Sequence, residues 1–169
     1  MNFKTATLLF LLIFVHKARA FEFYELAMLR LNDAAYGKQE TLSQFKNQPI
    51  IASFFMPNCN WCEKQHKALK LLKIQCPKVR SIMLGINGNN RDLKRALRKK
   101  MNHFPAFVSH PEIVKALGGK PPVPMALVFN KHGTLTFYTQ GYNSASTLEK
   151  LMKENHVTSC QNESRTKLL

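Results

Sequence analysis

The sequence predicts an α/β fold in which a central mixed β-sheet carries helices on both faces. Three observations lead there. Two runs, 49–56 (PIIASFFM) and 79–86 (VRSIMLGI), are dense in β-branched, aromatic and other apolar residues, the pattern of strands covered on both sides. Each is followed by a stretch with helical apolar spacing. Later, two β-like runs flank Asn130-Lys131-His132-Gly133, a hairpin signal, and a last helical stretch follows. The length of 169 residues, 45% hydrophobic, suits one domain and excludes a multidomain assembly. Seven Gly and eight Pro exclude a collagen-like or low-complexity chain. With 25 Lys+Arg against 10 Asp+Glu the formal charge is +15, which draws the surface toward anionic lipid, nucleic acid or acidic proteins without choosing among them.

Residues 1–20 are set aside from the fold. Lys4 precedes the run 6–15, apolar except for Thr7, and Ala18-Arg19-Ala20 supplies a small-x-small site, so the segment reads as a signal peptide cleaved after Ala20. The run is shorter than the roughly 20 residues a bilayer span needs, and the alternative is retention as an anchor. Lys4, Lys17 and Arg19 lie within residues 1–20, so most of the basic excess belongs to the remainder. Export places the domain, 21–157, in an oxidising space outside the cytoplasm, where cysteines pair; 158–169 is a polar tail.

Along the domain, Phe23, Leu26, Leu29, Leu31, Ala34 and Ala35 predict an amphipathic helix over 21–36, ended at Gly37. Residues 41–47 read as a turn and 49–56 as the central strand. Trp61, Ala68, Leu69, Leu71 and Leu72 predict a helix over 60–75, stopped before Pro77. The second strand, 79–86, is followed by a turn at 87–90 and a basic amphipathic helix over 91–101. A short helix over 110–117 closes at Gly118-Gly119, after which Pro121, Pro122 and Pro124 punctuate the chain. Strands at 125–129 and 134–138 form the hairpin, and 143–155 is the final helix.

The chemistry concentrates at Cys59-Asn60-Trp61-Cys62. A C-x-x-C at a helix start puts its first sulfur beside the unpaired N–H groups of the first turn, whose partial positive charge favours thiolate over thiol. The second sulfur lies one turn on, so Cys59 is the candidate nucleophile and Cys62 the resolving thiol. Lys64 and Lys67 add positive potential and Glu63 subtracts from it. Three other readings of the motif stand beside this one. It is half of a zinc site if two further ligands exist, yet Cys76 and Cys160 lack the paired spacing such sites use. It is a merely structural disulfide, or, with Met56 and His66, a soft-ligand cluster for Cu(I). The redox reading requires no cofactor and no metal.

With these residues in view, the sequence resembles the thioredoxin-like superfamily, in particular exported thiol–disulfide oxidoreductases of the TlpA and cytochrome-c-maturation type. The resemblance runs from Thr41 to about Met152. It rests on the central strand, the Cys59–Cys62 pair and the Val123-Pro124-Met125-Ala126-Leu127-Val128-Phe129 strand followed by Lys131-His132-Gly133. It implies that Pro124 is cis, that the backbone of Val123 faces the sulfurs, and that Val123, Pro124 and Trp61 bind the client chain. By the same resemblance Cys76 and Cys160 meet at the far end and form a structural disulfide, although Cys160 free or bonded to another molecule is the alternative. Two departures matter. Ser53 and Gln65 stand where many relatives carry the acid that handles the resolving thiol's proton, so either Glu63 or His66 takes that role or the direction of electron flow is not reductive; as helix residues both are expected to be solvated.

The function that follows is disulfide exchange with cysteine-containing client proteins in the periplasm, recharged by a membrane redox partner. The alternatives are a copper(I)-handling protein and a non-catalytic module of a secretion or conjugation apparatus. The basic stretch from Arg91 to Lys100 is a surface helix that docks, at most, on an anionic surface or acidic partner. Nucleic acid is not expected as a partner, because the aromatic interleaving of single-strand binders is missing.

Overall fold

The computed structural model describes residues 23–158 and Cys160. The expected signal peptide and all of the expected tail except Thr158 and Cys160 lie outside the described residues. A five-stranded mixed sheet organises the rest. Strand β3 (Ile50–Phe55) is its centre, fully buried along its length as its apolar run requires. It pairs in parallel with β4 (Arg80–Gly85) and antiparallel with β6 (Met125–Phe129). Outside these lie β5 (Ala106–Val108) next to β4, and β7 (Leu135–Gln140) next to β6, giving the order β5-β4-β3-β6-β7. A separate two-stranded ribbon joins β1 (Met28–Leu29) and β2 (Gln39–Glu40).

Alternation along β3 divides the core. Ile51 and Phe55 face one layer, with Leu69 and Leu72 of α1 (Asn60–Gln75), Leu93 and Leu97 of α2 (Asn90–Lys99), and Leu148 and Met152 of α4 (Ala145–Glu154). Ile50, Ala52 and Phe54 face the opposite layer, with Tyr24, Leu42 and Ile113 of α3 (Pro111–Ala116). Helices therefore cover both faces, as the sequence predicts. The parallel β3-α1-β4 and β4-α2-β5 crossovers carry the ends of β3, β4 and β5 to one edge of the sheet, and α1 starts there. The hairpin closes at Gly133 (φ +82°), where a Cβ would come 3.1 Å from the ring of Tyr24, so only glycine fits the turn against that ring.

The predicted helix over 21–36 is not formed. The segment is a 3₁₀ turn at Phe23–Glu25, then β1, an Arg30 bridge to Phe107 on the sheet edge, and a tight turn. Tyr24, Met28 and Leu31 are spaced as on a helix, but they reach the core from an extended chain. Asn32 holds it there, donating to Phe104 O at 2.9 Å and accepting from Ala106 N at 2.9 Å. Arg30, buried, donates to Glu40 at 3.0 Å, pairs with Asp33 and lies over the Phe107 ring. These long-range partners outweigh local propensity. The sequence reading also omits β5, and places a plain turn where a 3₁₀ helix, Leu42–Phe45, forms.

At the far end of α1, Cys76 and Cys160 are bonded (Cα–Cα 4.7 Å), linking α1 to the segment after α4 across a sequence separation of 84. In the chain-entropy model a closed loop of that size stabilises the fold by roughly 4 kcal/mol. Cys76→Ser should therefore lower the unfolding free energy by about that amount in a urea titration without a reductant. An unchanged midpoint would show that the bond does not constrain the unfolded chain.

Candidate active site

Phe55 ends β3, and five residues later Asn60 begins α1, so the strand hands over to the helix at Cys59. Asn58 makes the tight turn with a φ of +56°, a conformation asparagine tolerates. Cys59 is the N-cap of α1, and its Sγ accepts the N–H of Cys62 at 3.1 Å. Cys59 and Cys62 are bonded (Cα–Cα 5.2 Å). Their environments differ: Cys59 is partly exposed, whereas Cys62 is 1% exposed and packed in the core layer under α1. An incoming thiolate therefore meets Cys59 first. Any negative charge left on that sulfur sits on the first-turn N–H groups of a 16-residue helix.

Around the sulfurs the client-binding candidates gather in part. Trp61 is 54% exposed, and its ring lies 6.0 Å from that of Tyr142, which comes from the loop between β7 and α4. Lys64 Nζ stands 4.0 Å over the Trp61 ring. The Val123–Pro124 peptide is cis, directly before β6, with Val123 half-buried and packed against the same core layer as Cys59. On the other side of Cys59 a cleft of about 300 Å³ opens between the C-x-x-C loop and α2.

The two positions without an acid are both buried. Ser53 points into the α1 layer and its hydroxyl has no hydrogen-bond partner among the described residues. Gln65 Oε1 accepts the N–H of Asn143 at 2.8 Å, tying α1 to the loop that carries Tyr142. A neutral amide thus does a structural job where an acid would handle a proton. The expected solvated positions of the two substitutes are corrected for one of them. Glu63 lines the cleft beside Cys59 and pairs with Lys67 at 3.6 Å. His66, however, is 1% exposed, because the chain following α2 covers it. Its Nε2 lies 2.9 Å from Asn102 Oδ1 and its ring meets Phe104 edge-on. Asn102 Nδ2 donates to Phe104 O, so Oδ1 is the atom facing the histidine, and Nε2 carries the proton. Burial, with Lys70, Lys100 and His103 adding positive potential, pulls the imidazole down to about 4.

Cys59 and Cys62 bond each other, and His66 Nε2 is engaged by Asn102. Among the described residues the one group of side chains within metal-ligating reach is Cys76, Glu149 and Cys160, whose two sulfurs are themselves joined. Asn102 and Tyr142 escaped the sequence reading. Each owes its place to a loop brought in from far along the chain, and neither sits in a motif.

No family model matches the chain, and no curated protein sequence does. Solved structures match its fold. A secreted Mycobacterium tuberculosis disulfide oxidoreductase, homologous to Escherichia coli DsbE, superposes with a TM-score of 0.62 at 15% identity, covering 82% of this chain and 100% of that one. A DsbF homologue from Corynebacterium diphtheriae gives 0.63 at 16% identity, with 76% and 83% covered. A putative thiol:disulfide interchange protein DsbE from Chlorobium tepidum gives 0.63 at 11%, with 80% and 93% covered. The chain has the thioredoxin-like fold that these oxidoreductases share, and it carries a C-x-x-C pair at the strand-to-helix handover. No helix among the described residues is long and apolar enough to cross a membrane.

The histidine gives a pH prediction. The folded state holds His66 neutral down to about pH 4, whereas the unfolded chain protonates it near 6.5, so stability falls as pH drops through that window. The loss attributable to this group is on the order of 3 kcal/mol between pH 6.5 and 4. His66→Gln, which can still bond Asn102, should show a shallower acid dependence by that amount in denaturant titrations at the two pH values; parallel curves would contradict the assignment.

Proposed function

We propose that the protein is an exported thiol–disulfide oxidoreductase whose Cys59–Cys62 pair exchanges with cysteines of client proteins. The observation that carries this reading is the asymmetry of the pair: one sulfur partly exposed at a helix N-cap, its partner buried one turn behind. The exchange follows from that geometry. In the reducing direction the Cys59 thiolate attacks a client disulfide, forming a mixed disulfide and releasing one client thiolate. Cys62, once deprotonated, attacks Cys59 Sγ and releases the second client thiol, leaving Cys59–Cys62 oxidised. Two electrons pass to the client. The oxidising direction is the reverse, and stabilisation of the Cys59 thiolate favours it.

Several features support a client chain lying beside the sulfurs. The cis peptide sets the Val123 backbone before β6, and Trp61 with Tyr142 offers an exposed aromatic surface for apolar client side chains. The apolar run 6–15 and the Ala18-Arg19-Ala20 site support export through a signal peptide, and two disulfides suit an oxidising compartment such as the periplasm. The secreted character of the mycobacterial protein of the same fold agrees with that placement. A membrane redox partner would then keep the pair in its working state. With Gln65 and Ser53 in place, no carboxylate among the described residues is buried to accept the Cys62 proton, which favours the oxidising or isomerising direction over rapid reduction.

Insulin-disulfide reduction with dithiothreitol as the terminal reductant tests the assignment. Cys59→Ser should abolish turnover, and Cys62→Ser should accumulate a covalent mixed disulfide visible on a non-reducing gel. Turnover retained by Cys59→Ser would refute the nucleophile.

A further inference from the structure

The basic helix has so far been given no part in the chemistry, yet it forms one wall of the cleft at Cys59. Pro57, Cys59 and Glu63 line the near wall; Arg95, Lys99 and Lys100 line the far one. Gly88 forms the base, where a Cβ would come 2.8 Å from Pro57 Cγ, so the turn after β4 can approach the C-x-x-C loop. At about 300 Å³ the space holds one or two side chains, and because Cys59 opens into it, those are the neighbours of the cysteine under attack.

The charges in this cleft are not balanced. Its two acids already have cations: Glu63 has Lys67 at 3.6 Å and Asp92 has Arg95 at 3.5 Å. Lys99 and Lys100 have no carboxylate within ion-pair distance among the described residues. Lys100 is 7% exposed, its ammonium 3.5 Å from Ala96 O and 5.9 Å from the centre of the Phe55 ring. Burial disfavours its charge, the nearby Glu63 supports it and Lys99 opposes it. A buried cation so weakly compensated gains from a carboxylate delivered next to it. The two helices that flank the cleft are rich in cations elsewhere along their length, with Arg91, Lys94 and Arg98 on α2 and Lys64, Lys67, Lys70 and Lys73 on α1.

We propose that the cleft between Cys59 and α2 receives an acidic side chain next to the client's cysteine, so that the protein selects client segments in which Asp or Glu flanks the reacting sulfur. This rests on the oxidoreductase reading above and specifies its substrate class. Apolar client residues then meet Trp61 and Tyr142 on one side of Cys59, and acidic ones meet Lys99 and Lys100 on the other. A lipid surface is the weaker occupant, since a bilayer face does not enter a concave cleft that contains the reacting sulfur.

The test uses the full chain, reduced and freed of reductant, in single-turnover reactions with two peptide disulfides. The peptides are identical except for Glu or Lys on either side of each cysteine. The Glu peptide should react about fivefold faster at low ionic strength, with the ratio falling toward one in high salt. In Arg95→Glu/Lys99→Glu the order of the two peptides should reverse. Equal rates for the two peptides in the wild type, or a preference that survives the double variant, would overturn the inference while leaving the redox function in place. Exchange with neither peptide in either direction, reduced protein with the peptide disulfides or oxidised protein with the peptide dithiols, would overturn both. Equal rates together with sedimentation on phosphatidylglycerol vesicles, lost in the double variant, would assign the basic wall to a membrane surface instead.

Discussion

A sulfur occupies the position where helices usually place a hydroxyl, a carboxylate or a side-chain amide. Cys59 Sγ caps α1 by accepting the Cys62 N–H, and the geometry of the site follows from that contact. It fixes the reactive atom on the helix axis end and places its partner one turn back, in the core. It also requires β3 to end where it does. The strand is buried on both faces, so a one-residue slip against β4 and β6 would exchange the side chains packed in its two core layers. The position of one sulfur is thus determined by the packing of the middle of the sheet.

Behind that sulfur, the polar groups are neutral. Gln65 is engaged with the Asn143 backbone and His66 with Asn102, and burial keeps the imidazole uncharged at ordinary pH. Positive charge is instead concentrated in front, on α2 and the exposed side of α1. The molecule therefore combines neutral side chains at Gln65 and His66, behind Cys62, with a cationic approach to Cys59. Thiolate stabilisation on this plan comes from the helix terminus and the field around the cleft, and among the described residues no carboxylate is buried beside Cys62.

Much of the fold was legible because it is encoded locally. The run of β3 has no polar break except Ser53, α1 is bounded by Cys59 and Pro77, and Asn130 to Gly133 marks its hairpin without help from the rest of the chain. The redox pair was legible for the same reason, since it depends on two residues one turn apart. What failed was non-local. The spacing of Tyr24, Met28 and Leu31 satisfies a helix, but Asn32 and Arg30 find partners on β2 and β5 that no local pattern reveals. Strand β5, only three residues between Pro105 and Pro111, is too short to show a period. His66 looked solvated because nothing in α1 indicates that the chain around Asn102 and Phe104 will cover it.

The direct test of the central idea is the ultraviolet absorbance of thiolate, followed against pH in the reduced protein. With Cys59 on the helix N-cap and Cys62 in the core, one thiol should ionise well below the ordinary value of about 8.5 while the other ionises above it. Two thiols titrating together near 8.5 would mean that the helix terminus does not activate Cys59, and the account would fail.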